Sequence, residues 1–221
     1  MRKPVSRDAI VHAAVDLMAE HGLAAMTLRR VATQLGVSAP TLYWHVANKR
    51  ELLDHVAEHL LHHCRTAHAD RPATGQPWWD WLEERGRTMY RLIVAVPDAP
   101  QVIAGNRPTI DTLPGIDIAL GELVAVGFPP AEAQQVFSVL GGYIGGMALE
   151  AQAEATRAES GVDDFALHSA ALDADRFPHL ASAITAREPC GHDHTFDYGL
   201  RLLVLGIRAR HAELTGADSP V

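Results

Sequence analysis

Between Val136 and Leu149 the chain reads VFSVLGGYIGGMAL, a stretch with no charged side chain on any face. A helix of that composition has to be buried all round. Gly141, Gly142, Gly145 and Gly146 lie inside it, and each costs about 1 kcal/mol against alanine in a helix interior. A very close helix approach offsets that cost, and a two-fold interface between copies of the chain fits. The natural partner is the segment Thr195 to Ala212, where Gly199 and Gly206 stand among leucine and valine. The rival is a glycine-rich phosphate loop, but the Lys-Ser/Thr ending is missing and the flanks read as helix rather than strand.

Helical periodicity runs through the rest. Apolar residues at Ile10, Ala13, Ala14, Leu17 and Met18 repeat with three and four spacing from a Ser6 cap, and His21-Gly22 ends that helix. A second helix starts at Thr27, whose hydroxyl can cap it, and carries Val31, Ala32 and Leu35 on one face. Gly36-Val37-Ser38 makes a turn, and a very short helix follows in APTLYWH, where Pro40 in the first turn sacrifices no hydrogen bond. Two short helices about a glycine turn read as helix-turn-helix. Longer helical patterns follow Lys49, broken at 71–77, 97–100, 107–114 and 128–130. Segment 154–176 is polar and Ala-rich with a mobile loop expected near 160–164, and Phe177 to Ala186 and Thr195 to Ala212 are expected to be helical. No strand alternation and no repeat is visible, so an all-α chain is expected, divided into residues 1–48 and 49–221.

The net charge of -8 in 221 residues looks unsuited to a nucleic-acid partner until it is divided. Residues 1–50 hold seven Lys/Arg against three Asp/Glu, and the remainder twelve against twenty-four. Counterion release depends on the local basic patch rather than the whole-chain sum. Cys64 and Cys190 form no disulfide framework and no paired-cysteine metal motif, and read as reduced thiols. Asp8, His12 and Asp16 interrupt the N-terminus, so no signal-peptide run is present, and no apolar run reaches the roughly 18 residues of a membrane span. A cytoplasmic chain is expected.

A helix that reads DNA must offer groups to base edges and phosphates. Thr41, Tyr43, Trp44, His45 and Lys49 supply a hydroxyl, two amphipathic aromatics, an imidazole and a cation, while Leu42 and Val46 face the core. The run PTLYWHV followed by NKR strongly resembles the reading helix of the TetR family of transcriptional regulators. The stretches WWDWLEERGRTMYR, GNRPT, GFPPAEAQQVFSVLGGYIGGMALEAQ and FDYGLRLLVLGI extend the resemblance to that family's core. It covers most of the chain and is weakest between about 155 and 190. It implies an N-terminal three-helix helix-turn-helix domain and a helical ligand-binding core that dimerises through a four-helix bundle. The DNA-binding set is then Thr27, Arg29, Ala39, Pro40, Thr41, Tyr43, Trp44, His45 and Lys49, the last on phosphate. Ala39 replaces a glutamine that reads a base in tetracycline-binding members, which implies a different operator.

The Trp78 to Val96 stripe contains Arg85 among Leu82, Met89, Leu92 and Ile93, and a guanidinium there needs a partner. An ion pair with a glutamate such as Glu150 and a ligand contact both answer that need. Carried over by the resemblance, the family's tetracycline pocket falls on Arg65, Arg85, Met89, Ile103, Asn106, Arg107, Pro108 and Glu150. Arg107, Pro108 and Glu150 keep the family's residue types. Ile103 takes the place of the magnesium-ligating histidine, Asn106 that of a threonine, Arg65 and Arg85 those of a histidine and an asparagine, and Met89 that of a stacking phenylalanine. Isoleucine cannot ligate magnesium, and arginine cannot reproduce an amide's donor and acceptor pattern. The expected effector is a small hydrophobic or polycyclic molecule that needs no metal or other cofactor, with an anionic or carbonyl-rich edge facing Arg65 or Arg85.

The expected partners are thus a double-stranded DNA operator, a small-molecule effector and a second copy of the chain, with no membrane and no catalytic residue. HVAEHLLHHC, residues 55–64, keeps two alternatives in view. His55, His59 and His62 fall together on the polar face opposite Leu53, Val56, Ala57, Leu60 and Cys64, and spacings of four permit zinc, so a metal-sensing regulator is one. The other is an all-helical metal-dependent enzyme using these histidines with Glu58, or the run Cys190, His192, Asp193, His194, although no hydrolase, kinase or metalloprotease motif is present.

Overall fold

The computed structural model describes residues 5–67, 69–106, 108–159, 161, 172–186 and 192–216, without the side chains of Cys64, Arg65, Thr66, Thr185 and Ala186. The described residues form helices and no strand: α1 Arg7–Ala25, α2 Leu28–Gln34, α3 Ala39–Tyr43, α4 Lys49–Thr66, α5 Trp78–Val94, α6 Ala99–Ile103, a 3-10 turn Ile110–Thr112, α7 Leu113–Ala125, α8 Pro130–Glu159, α9 Pro178–Ala186 and α10 His192–Thr215. The mobile loop expected near 160–164 lies almost wholly outside the described residues.

Local chemistry sets the first three helices. The Ser6 hydroxyl accepts from Ala9 N at 3.2 Å and starts α1. Gly22, at φ 75, breaks it, and one further turn reaches Ala25, beyond the end expected at Gly22. The Thr27 hydroxyl accepts from Arg30 N at 3.3 Å and caps α2, and Gly36, at φ 65, opens the turn into α3. Ile10, Ala14, Met18, Met26, Val31, Leu42 and Val46 close a small core against Leu52 and Val56 of α4.

Helix α4 is packed against α1, α5 and α6. Its buried side chains are Leu52, Val56, Ala57 and Leu60, whereas Leu53, expected in the apolar stripe, is only half-buried. Three neighbours rather than one decide which face is covered. A second joint ties the N-terminal helices to the core. Asp98, the one described non-glycine residue at positive φ, accepts from Leu23 N at 2.6 Å. Its own N–H donates to Gln152 of α8 at 3.1 Å, and Gln152 donates to the carbonyls of Val94 and Val96 at 3.1 and 2.8 Å.

Helices α5, α8 and α10 form the central core. The Tyr90 ring stacks on Phe196 at 3.8 Å and 9°, and the Tyr143 hydroxyl donates to the Phe196 carbonyl at 2.8 Å. A Cβ on Gly199 would lie 2.2 Å from that hydroxyl, so α8 and α10 approach closely there. Helix α10 starts at His192, three residues before the expected Thr195, and α5 ends at Val94 rather than Val96.

The uncharged stretch of α8 is not buried all round within one chain. Leu140, Ile144 and Ala148 are buried, but Val139 is 53% and Leu149 46% exposed. On α10, Tyr198, Leu202 and Leu205 are exposed as well. A Cβ on Gly141, Gly142, Gly145 or Gly146 would meet no atom within 4 Å. Among the described residues, the close approach that these glycines imply is therefore not made.

Candidate nucleic-acid interface and effector site

Helix α3 divides its side chains by destination. Leu42 and Val46 are fully buried, while Trp44 is 88% and Tyr43 56% exposed. At 88% exposure Trp44 contributes little to packing. Arg29, Pro40 and Lys49 are exposed beside them, and Ala39, Thr41 and His45 are half-buried. The Thr41 hydroxyl lies 2.8 Å from the Ser38 hydroxyl, and Thr27 spends its hydroxyl on the α2 cap. Lys49 is held by a cap that escapes a search for Ser or Thr: Asn48 Oδ1 accepts from Glu51 N at 3.0 Å and the Glu51 carboxylate accepts from Ala47 N at 2.6 Å. Arg29, Pro40, Tyr43, Trp44 and Lys49 are thus each exposed, on or next to α2, α3 and the start of α4.

The expected effector residues lie in the core. Arg85 and Met89 are half-buried one turn apart on α5, Ile103 is half-buried at the end of α6, and Asn106 is half-buried in the loop beyond. The Arg85 guanidinium sits 5.7 Å from the Trp81 ring centroid and 4.0 Å from the Asp70 carboxylate. Its acidic neighbour is Asp70 rather than the expected Glu150, which is exposed on α8. The reason is the loop before α5: Trp81 Nε1 donates to the Ala69 carbonyl at 3.0 Å and folds that loop back over the helix. Asn106 Oδ1 is shut from solvent without a donor among the described residues. Pro108 is exposed. Arg107 and the side chain of Arg65 lie outside the described residues.

The histidines of α4 make different contacts. His59 turns toward α1, its ring 4.7 Å from His12 and 4.4 Å from His63. His55 instead lies 3.9 Å from the Glu51 carboxylate. Burial, then the neighbouring His63, His12 and His62, hold His59 below the usual histidine pKa, with Asp8 acting the other way. Among the described residues no three His, Cys, Asp or Glu converge as a metal site, so the expected grouping of His55, His59 and His62 is not formed. Glu58, weighed as an enzyme carboxylate, is instead engaged by Thr109 and Thr112. His192, Asp193 and His194 belong to the first turn of α10, and Cys190 lies outside the described residues. Deeper in the core, burial and then Asp193 push the Tyr90 hydroxyl up to about 12.

Sequence reading missed Arg50, Glu58 and Asp98 as joints. Each acts on a residue more than fifty positions away, and only Asp98, just before Pro100, stood at an expected break.

The comparisons with known proteins agree with this geometry. The family described as bacterial regulatory proteins, tetR family, matches residues 10–56, and the tetracyclin repressor-like C-terminal domain matches residues 71–211. The tetracycline repressor protein class A from transposon 1721 of Escherichia coli is 31% identical, over 96% of this chain and 94% of its own. Apo ActR from Streptomyces coelicolor is similar in structure with a TM-score of 0.81 and 27% identity, over 96% of this chain and 99% of that one. The same protein in complex with actinorhodin gives a TM-score of 0.79 and 26% identity, over 98% and 100% of the two chains.

Proposed function

Because this chain belongs to the TetR family, whose members join a helix-turn-helix reader to a ligand-binding core, we propose that it works as a homodimeric repressor. In this reading a small hydrophobic or polycyclic effector other than magnesium-tetracycline releases it from a palindromic operator. The chain is a ligand-responsive transcriptional regulator and not an enzyme. The observation that carries the finer reading is the sorting of α3: Leu42 and Val46 hold it down, and Tyr43 and Trp44 are presented outward. Residues 1–48 then act as the reader and 49–221 as the effector and dimer body, in the cytoplasm, where the operator is.

Thr27, Arg29, Ala39, Pro40, Thr41, Tyr43, Trp44, His45 and Lys49 form the operator-facing set. Base edges fall to α3, and Lys49, freely exposed at the start of α4, falls to phosphate. Supporting a second copy is the uncovered apolar face of α8 and α10, where Gly142 and Gly146 leave room for close helix approach. Two readers held by such a two-fold enter successive major grooves roughly 34 to 36 Å apart.

Arg65, Arg85, Met89, Ile103, Asn106, Arg107, Pro108 and Glu150 form the effector set. The aliphatic side chain of Ile103 has no lone pair for a metal ion, which argues against magnesium-tetracycline. Half-buried Arg85 beside the Trp81 ring suits a flat molecule with an anionic or carbonyl-rich edge. A complex of the similar ActR with actinorhodin supports a ligand of that general kind. Release follows if the effector prefers a core state whose reader spacing no longer fits DNA, and couplings of roughly 1 to 3 kcal/mol are typical. The test is selection of a duplex from random DNA by the full chain, followed by a screen for compounds that release it. Release by a polycyclic compound without metal is expected, and calorimetry showing tight magnesium-dependent tetracycline binding contradicts the effector assignment.

A further inference from the structure

Among the described side chains of the effector set, Arg85 carries the only cation. Only 17% of that side chain faces solvent, and a guanidinium so placed needs a counter-charge. Asp70 supplies it from residues 69–76, the segment that leads into α5. The neighbours of Asp70 on both sides are anchored. The Ala69 carbonyl accepts from Trp81 Nε1 at 3.0 Å, and Arg71 pairs with Glu122 of α7 at 3.0 Å. Further along, Gln76 donates to the Glu84 carboxylate at 2.9 Å and accepts from Ala73 N at 2.9 Å. Tethers to α5 and α7 therefore carry Asp70 to Arg85.

The contact itself is loose. The Asp70 carboxylate lies 4.0 Å from Nη1 of Arg85, beyond hydrogen-bond reach, and 48% of the Asp70 side chain is exposed. Such a pair is worth little, because water screens it and takes up the carboxylate on separation. A second carboxylate that came within about 2.8 Å of the guanidinium would make the short charge-assisted bonds that Asp70 does not. The Trp81 ring, 5.7 Å from the guanidinium, offers a flat apolar surface beside that position. An aromatic carboxylate gains by replacing Asp70, whereas a neutral aromatic molecule has no reason to move it.

We propose that Asp70 is a specificity-determining residue: it is the resident counter-anion of Arg85, which an anionic planar effector must displace and a neutral one leaves in place. This rests on the effector reading above, in which Arg85 meets the anionic edge of the ligand. Asp70 then weakens anionic ligands alone, so that only one making a close two-oxygen contact with Arg85 succeeds. Asparagine at position 70 keeps the size of the side chain and removes its charge.

The probes are anthraquinone-2-carboxylate and its neutral carboxamide, titrated calorimetrically into the full chain. In Asp70→Asn the carboxylate is expected to bind about tenfold more tightly than in wild type, and the carboxamide within about twofold of it. In an Arg85→Met background the same substitution is expected to lose most of that gain, because the two residues act as a pair. A ratio of carboxylate to carboxamide affinity that Asp70→Asn leaves unchanged or lowers overturns the inference, since merely holding the segment in place would alter melting and not that ratio. An equal gain in both backgrounds overturns it as well, because it marks general repulsion rather than competition for Arg85. Neither probe binding wild type or Asp70→Asn contradicts the effector reading itself, and the inference falls with it by a different result.

Discussion

Trp44 has no packing duty in this chain, since 88% of it faces solvent. Replacing it by alanine should leave the melting temperature unchanged and weaken binding of the selected duplex by roughly 10- to 100-fold, as loss of a good recognition contact does. Leu42, two positions away but fully buried, should behave oppositely: its alanine variant loses about 2 to 5 kcal/mol of stability. Gly199 offers a second contrast. A Cβ there would lie 2.2 Å from the Tyr143 hydroxyl, and that hydroxyl is tied to the Phe196 carbonyl. Gly199→Ala is therefore expected to destabilise the fold by about 1 to 3 kcal/mol in a urea titration. Single residues were readable from sequence where their partner is near. Ser6 and Thr27 cap donors three positions ahead, so residue type and spacing sufficed. Arg85 showed that it needs a partner but not which one, because Asp70 reaches it only through a folded-back loop.

At the scale of elements, α4 carries the histidine run and packs against α1, α5 and α6. His59 is wedged between His12 of α1 and His63 of its own helix, and its folded pKa lies below the ordinary value near 6.5. The folded chain thus binds fewer protons at this site than the unfolded chain. Its contribution to stability is fully present above the unfolded pKa and is lost as pH falls through that value toward the folded one. Urea midpoints taken from about pH 7.5 down to about pH 5 should fall more steeply in wild type than in His59→Asn. Equal slopes contradict that account. The longer helices were visible in apolar spacing because a 3.6-residue period is a local property, whereas the short α6 begins inside the break expected at 97–100. The 3-10 turn Ile110–Thr112 fell inside an expected break, since its organiser is Glu58, 51 and 54 residues away from Thr109 and Thr112. Leu52 displaced Leu53 from the buried face of α4 for the same reason: three packed neighbours, not one stripe, decide what is covered.

For the whole molecule, the open question of the uncharged helix is who covers it. Among the described residues, none outside its own helix backbone comes within 4 Å of a Cβ placed on Gly142. In an isolated chain Gly142→Ala should therefore gain about 1 kcal/mol from helix propensity alone. A two-fold close approach reverses the sign, so sedimentation over a dilution series should show a weaker dimer in the variant than in wild type. An unchanged assembly with higher stability contradicts a glycine-mediated interface. The division of the charge, basic over residues 1–50 and acidic beyond, directs the readers rather than the body toward DNA. The central claim is a two-fold regulator that presents two α3 helices to one duplex, and it is tested most directly by the mass and footprint of the complex with the selected DNA. Two chains on one palindromic duplex, protecting half-sites roughly 34 to 36 Å apart, are predicted. A single chain on a single half-site, or a folded dimer that protects no DNA, contradicts the account.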